Sequence, residues 1–341
     1  MAEQQRPPSI KDVAERAGVS WKTVSNVMNG QVNVRPQTRL RVEQAIADLG
    51  YRRSTAGRQL RYGRSFIIAL AVPELTTPYF GDLAHQVLAA AIERGYTALI
   101  TETGGDADRE RAALRGFDTQ VADGVILSPV SLDGPSIAGA QSHVPLVLLG
   151  ERVAGSPLDH VIYDNRRAAR EATEHVLTEG AQHPLFVGAN AEHRYGTGWL
   201  RAEGFLDALG ARGSEELVVS SPRYSRAHGA QVVRELHGSG RRFDALVCAS
   251  DLLAVGALHA LRQLDQSVPD QVQVIGWDGI DEGRYTHPAL STVQLDVRAV
   301  ARTAVDLVID RIESAEREAP SAEVVVPHRL IARASTRIRS G

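Results

Sequence analysis

Between Ser9 and Asn29 the chain reads Ser-Ile-Lys-Asp-Val-Ala-Glu-Arg-Ala-Gly-Val-Ser-Trp-Lys-Thr-Val-Ser-Asn-Val-Met-Asn, and few structures accommodate that order. Ile10, Val13, Ala14 and Ala17 recur at helical spacing, and Val24, Val27 and Met28 do so again after Gly18. Ser9 can cap the first helix with Asp12 closing a capping box, and Ser20 can cap the second. Gly18 falls where the chain must bend between them. Two short amphipathic helices meeting at a glycine turn describe a helix-turn-helix, whose second helix is sized for a DNA major groove. Other small helical hairpins share this pattern, so charge has to decide.

Residues 1 to 64 hold 12 Lys+Arg against 5 Asp+Glu, a net of +7, whereas the rest of the chain nets −10. A basic head on an acidic body is the footprint of a protein that touches a polyphosphate with one end. A third helix is predicted from Pro36 to Leu49, with Pro36 in its first turn and Gly50 beyond its end. Its Leu40, Val42, Ala45, Ile46 and Leu49 are expected to pack on the first two helices. Residues 51 to 64 are strongly basic and poor in core residues; they read as a linker with one short potential helix, Ser54 to Arg61.

From Phe66 the texture changes to apolar strands alternating with amphipathic helices. Strands are predicted at 66–72, 96–101, 124–128, 146–149, 160–163, 185–188, 217–220, 245–249 and 272–277, with Gly95, Gly180 and Gly210 as helix caps. This alternation implies an α/β body with parallel sheets covered on both faces. So many units overfill one sheet, so two similar lobes are expected, with a ligand cleft at the carboxyl ends of their strands.

The single cysteine, Cys248, lies in an apolar run and reads as a buried strand residue. No run of 18 apolar residues occurs, and no apolar segment follows the first charges, so a cytoplasmic protein is expected with no membrane partner. No phosphate-binding loop, nucleophile elbow or metal-binding helix motif appears, and the 11 histidines are scattered. No cofactor and no metal are expected. Gly104-Gly105-Asp106 reads as a helix cap rather than a phosphate cradle.

Asp12-Val13-Ala14, Ala17-Gly18-Val19-Ser20, Thr23-Val24-Ser25 and Asn29-Gly30, followed by a basic linker and a two-lobed body, resemble the lactose-repressor family of transcriptional regulators. In the body Asp164-Asn165, Arg201-Ala202-Glu203-Gly204-Phe205, Ala249-Ser250-Asp251 and Val274-Ile275-Gly276-Trp277-Asp278 carry the same resemblance, which spans essentially the whole chain. It implies a three-helix headpiece (1–53), a hinge helix and linker (54–64) and a periplasmic-binding-protein-like core (65–341). The core's N-lobe would comprise about 65–164 and 295–326, and its C-lobe about 165–294 and 327–341. The backbone would cross between lobes near Asp164, Ser291 and Pro327.

The resemblance also implies roles. Trp21, Lys22 and Asn26 would reach base edges; Lys22 could donate to guanine and Asn26 could pair with adenine. Trp21 could instead pack on a sugar or on Tyr51. Many relatives carry Arg at the position of Asn26, which implies a changed base preference. Ser20, Thr23, Ser25, Asn29, Asn33 and Thr38 suit phosphate contacts, which set register without carrying sequence information. Ala56, Gly57, Arg58 and Leu60 would form the hinge helix, with Leu60 wedged into the minor groove. Ordering those residues costs about 1–2 kcal/mol each, so the hinge is expected to fold only when two copies pair over DNA. Gly57 replaces the family's usual alanine and Arg53 a common proline.

In the cleft, Tyr79, Phe80 and Tyr224 would flank a ligand ring, while Arg201 and Asp278 would fix hydroxyls with Ser250 or Asp251 nearby. An arginine and a carboxylate facing aromatic rings suit a polyhydroxylated sugar. Trp277 and Phe205 read as core aromatics. A carboxylate common in relatives after the fourth strand is replaced by Gly150-Glu151. The function implied is a homodimeric repressor of a near-palindromic operator, controlled by a sugar. A purine-type corepressor system, a plain sugar-binding protein and, more weakly, an enzyme are the alternatives.

Overall fold

The computed structural model describes residues 8–28, 34–51, 63–117, 121–132, 134–139, 142–150, 156, 158–189, 196–314 and 320–337. Asn29, Asn33, Glu151 and the hinge residues Ala56, Gly57, Arg58 and Leu60 lie outside them. The chain divides into two compact units, Met1–Ser65 and Phe66–Gly341.

The first unit has three helices, α1 (Ile10–Ala17), α2 (Trp21–Met28) and α3 (Pro36–Leu49). Asp12 accepts from the Ser9 N–H at 2.6 Å and from its hydroxyl at 2.8 Å, which anchors the start of α1. Gly18 takes the left-handed conformation (φ 63°, ψ 42°) that lets the chain turn into α2, and Ser20 Oγ accepts from Thr23 N–H at 3.1 Å. Val13, Val24 and Val42, one from each helix, are completely buried and form the centre of the unit. Leu40 is not part of it: 65% of its surface is exposed. Leu40 and Val42 stand about 200° apart around α3, so both cannot face one core. Val42, Ala45, Ile46 and Leu49 take that face.

The second unit carries two six-stranded sheets. The first contains β1 (Ile67–Val72), β2 (Thr97–Glu102), β3 (Gly124–Leu127), β4 (Leu146–Gly150), β5 (Asp159–Tyr163) and β11 (Glu323–Val326), in the order β11-β5-β4-β3-β1-β2. The second contains β6 (Pro184–Ala189), β7 (Val218–Ser220), β8 (Ala245–Cys248), β9 (Gln273–Asp278), β10 (Ser291–Leu295) and β12 (His328–Ile331), in the order β12-β10-β9-β8-β6-β7. The two orders are the same pattern repeated, each with one edge strand from the C-terminal segment. Helices cover the sheets: α4 (Pro78–Glu93), α5 (Ala107–Leu114), α6 (Gly134–Ala138) and α11 (Val297–Glu313) belong to the first lobe. Those of the second are α7 (Asn165–Thr178), α8 (Thr197–Leu209), α9 (Arg226–Gly238) and α10 (Asp251–Gln263). Pairing is parallel except between β10 and β12, where the last strand returns antiparallel along the edge.

The chain passes between lobes three times. It leaves β5 for α7 at Asp164, returns from β10 to α11 at Asp296, and passes from β11 to β12 at Pro327. Asp164 (φ −77°, ψ 79°) and Asp296 (φ −85°, ψ 78°) share one backbone conformation, close to an inverse γ-turn. Each caps the helix that follows, accepting from Arg167 N–H at 3.0 Å and Ala299 N–H at 2.9 Å. The second passage therefore lies five residues beyond the expected Ser291, which is buried at the start of β10 against Ser335 and Thr336.

Candidate functional site

The surface of α2 follows from its core face. Val24 and Val27 are buried, which turns Lys22 and Asn26, one turn apart, to the opposite side. Trp21 is 55% exposed and Lys22 is exposed, while Thr23, Ser25 and Asn26 are half-buried. Ser20 and Thr23 share a hydroxyl–hydroxyl bond of 2.9 Å at the helix start, and Thr38 lies half-buried in the first turn of α3. A rigid helix with a polar outward row on a basic unit can enter a groove and meet donors and acceptors there.

In the second unit, side chains at the carboxyl ends of the two sheets come within reach of one another. Arg201 projects from the second turn of α8 and retains 7% of its surface. Its Nε donates to Asn165 Oδ1 at 2.8 Å and its Nη1 to the Ala249 carbonyl at 2.6 Å, while its guanidinium carbon lies 4.2 Å above the Trp277 ring centroid. Nη2 bonds to none of the described residues. Asp278 ends β9 with φ at +106°, a strained position for a residue with a side chain. Burial holds its carboxyl well above the usual carboxylate range, against the pull of the Arg201 guanidinium; the Asp251 charge raises it further, and the Asp251 N–H lowers it.

From the other lobe, Tyr79 and Phe80 occupy the first turn of α4 with their rings edge to face at 5.1 Å. Burial, then the Asp278 charge, pushes the Tyr79 phenol up, so this side chain shares a field with the acid of the opposite lobe. Tyr163 closes β5, and its buried hydroxyl has no hydrogen-bond partner among the described residues; neither has the buried Trp277 Nε1. The Tyr79 phenol lies beside Tyr163 without closing a bond of good geometry. Each unsatisfied atom costs about 1–3 kcal/mol until something bonds it. Tyr224 lies at the carboxyl end of β6, its ring over Gly188 and its hydroxyl over Gly198, where any side chain would overlap it.

Two model matches address the family. Residues 9–54 match the model described as bacterial regulatory proteins, lacI family, and residues 173–336 match a periplasmic binding protein-like domain. The ribose operon repressor of Halalkalibacterium halodurans is 31% identical over 334 residues, covering 96% of this chain and 97% of the relative. The chain belongs to the lacI family of bacterial regulatory proteins. A LacI-family transcriptional regulator from Sanguibacter keddieii has a solved structure that is 38% identical, with a TM-score of 0.73, covering 80% of this chain and 99% of that one. A CelR–cellobiose complex is 28% identical with a TM-score of 0.70, covering 96% and 99%. These relatives are transcription regulators, and the LacI-family body is the two-lobed α/β core described above.

Two residues expected to touch ligand in this LacI-family chain are placed otherwise. Asp251 is 0% exposed; its Oδ2 accepts from Ile280 N–H at 2.9 Å and its Oδ1 from the Thr292 hydroxyl at 2.8 Å. It thereby holds the turn that follows Asp278, and burial pushes its carboxyl up to about 7 despite those bonds. Ser250 is buried and caps α10 through Leu253 N–H at 3.3 Å. Trp277 is buried in the core, as its sequence reading has it, while Tyr163 is a polar group at this end of the sheets that sequence reasoning does not single out. Its one signal is position: it closes β5 at the carboxyl edge of the sheet.

Asp106 caps α5 as expected, accepting from Asp108 and Arg109 N–H groups. Among the described residues no three His, Cys, Asp or Glu side chains gather as for a metal ion, and no helix is long and apolar enough to cross a membrane.

Proposed function

We propose that this LacI-family chain is a homodimeric, sequence-specific repressor whose operator affinity is set by a sugar held between the lobes. The observation that carries the ligand assignment is Arg201 stacked on Trp277 beside Asp278, with two unsatisfied buried groups, Tyr163 Oη and Trp277 Nε1, at the same end of the sheets. A neutral polyol supplies what such a site needs: hydroxyls for the charged pair and the unpaired atoms, and an apolar face for Tyr79, Phe80 and Tyr224. The names of its relatives support a sugar, since one is a ribose operon repressor and another was solved with cellobiose. Trp21, Lys22 and Asn26 read base edges, Ser20, Thr23, Ser25, Asn29, Asn33 and Thr38 contact phosphates, and Ala56, Gly57, Arg58 and Leu60 order as a hinge over the minor groove.

Two copies bind the halves of a near-palindrome in the cytoplasm, and the chain has no catalytic role. A sugar that closes the lobes must bind the DNA-free state more tightly than the DNA-bound one, and operator must then weaken sugar binding by the same factor. The test screens a panel of mono- and disaccharides for thermal stabilisation of the full chain, then repeats an operator-shift titration with each stabilising sugar. Release of operator is the expected result. A ligand that tightens the complex overturns induction, and stabilisation by purines alone overturns the sugar.

A further inference from the structure

At the end of the second sheet away from the cleft, a cavity of about 230 Å³ opens between the start of β6, the turn after α8 and the loop entering β8. Leu185, Leu209 and Leu217 give it an apolar floor, and Arg212, Arg241, Arg242 and His183 line its mouth. Most arginines on the neighbouring helices are neutralised: Arg166 pairs with Asp207 and Arg226 with Glu282. Those around the cavity are not. Among the described residues Arg212 and Arg242 make no ion pair, and Arg241 bonds to a carbonyl oxygen, that of Glu216, rather than to a carboxylate. Asp244, beside the floor, has one oxygen on Gln182 N–H at 2.7 Å and the other on His183 N–H at 2.8 Å, and Glu215 and Glu216, next to Leu217, make no ion pair with these arginines among the described residues.

Three guanidinium groups line one hollow in a part of the chain whose net charge is −10, and an anion between them would relieve their mutual repulsion. Guanidinium forks match the oxygens of a phosphoryl group bidentately, and the leucine floor suits a short carbon skeleton. We infer that this hollow is a second ligand site, separate from the sugar cleft, for a small phosphorylated metabolite. It shares α8 and β6 with the cleft but none of the residues that face the sugar.

The test is calorimetric titration of the full chain with glucose 6-phosphate, ribose 5-phosphate and 3-phosphoglycerate, beside inorganic phosphate and unphosphorylated glucose at one ionic strength. At least one phosphorylated compound should bind saturably and more tightly than inorganic phosphate. The double variant Arg212→Ala/Arg242→Ala removes side chains that bond to none of the described residues, so the fold survives, and it should weaken binding by about tenfold or more. Arg201→Ala, in the cleft, and Lys22→Ala, on α2, should leave that binding in place. No saturable heat from any of the three compounds overturns the site. So does binding that survives the double variant, or that disappears with Arg201→Ala or Lys22→Ala. Binding of an acidic phosphopeptide but of none of the metabolites would make the hollow a protein-docking point and overturn the ligand class.

Discussion

Arg201 donates to Asn165 at 2.8 Å, and Asn165 is the first residue after the Asp164 passage between the lobes. Arg201 is thus bonded to the strand-to-helix junction that joins the lobes. Asp164 and Asp296 give the two junctions matching conformations and matching caps, so two of the three passages lead straight into a capped helix.

Arg201→Ala is therefore expected to abolish the sugar response while leaving operator affinity within about twofold. The same change strips partners from Asn165 and the Ala249 carbonyl, at a cost of about 1–3 kcal/mol in stability. Operator-shift titrations with and without sugar, alongside a thermal melt, check both parts. Loss of operator binding in a chain that still melts cooperatively would make Arg201 part of the framework instead.

Gly198→Ala separates ring placement from folding. The added methyl overlaps the Tyr224 hydroxyl, the far end of a side chain that can swing away, and stands 3.0 Å from the Gly188 carbonyl oxygen, which must give by a few tenths of an ångström, so a thermal melt should show a modest loss of stability while the ring is displaced. Sugar affinity should fall by about 1–3 kcal/mol with little change in operator affinity. Tyr224→Ala should reproduce the loss; unaltered sugar affinity in both would remove Tyr224 from the ligand's surroundings.

Asp251 gives the body a stability that depends on pH. Its carboxyl titrates near 7 in the folded chain because burial disfavours the charge, against an ordinary aspartate value of 3.8. Between those values the folded chain holds a proton that the unfolded chain has lost, so stability from this group is greatest at low pH and declines as pH rises to 7. Asp278 is raised too and acts in the same direction. Asp251→Asn should flatten the profile, changing the wild-type-minus-variant difference by up to about 4 kcal/mol between pH 4 and pH 7. Parallel denaturation profiles across that range would show that the acid titrates normally.

Legibility in the sequence tracks burial. β1, β3, β4, β6 and β8 are apolar almost throughout because helices cover both faces, and such runs stand out, as do the apolar centres of β5 and β9. β10 begins Ser-Thr, whose hydroxyls bond Thr336 and Asp251 inside the fold, and β12 is a mixed edge strand; neither has an apolar signature, whereas β11 carries three valines but is only four residues long. Arg201 and Asp278 are legible by their residue types. Asp251 is not, because an acid at a helix start, next to a serine, can face the cleft or the core, and only the register of Thr292 and Ile280 decides. Leu40 shows the same limit in the headpiece: an apolar residue off the helical stripe has no core to join.

On α2 the outward pair Lys22 and Asn26 assigns different jobs to neighbouring residues. An amide can pair bidentately with one base, whereas an ammonium adds charge attraction wherever it lands. Asn26→Ala should relax preference at one base pair by about 1–3 kcal/mol and leave the salt dependence unchanged. Lys22→Ala should relax preference at the guanine the lysine meets and, because an ammonium also adds charge attraction, reduce the slope of log affinity against log salt by up to about one. Titration against a library of single-base operator variants at two salt concentrations measures both effects together. An unchanged base preference in Asn26→Ala would take that residue out of the reading set, and an unchanged slope in Lys22→Ala would assign the lysine to a base edge alone.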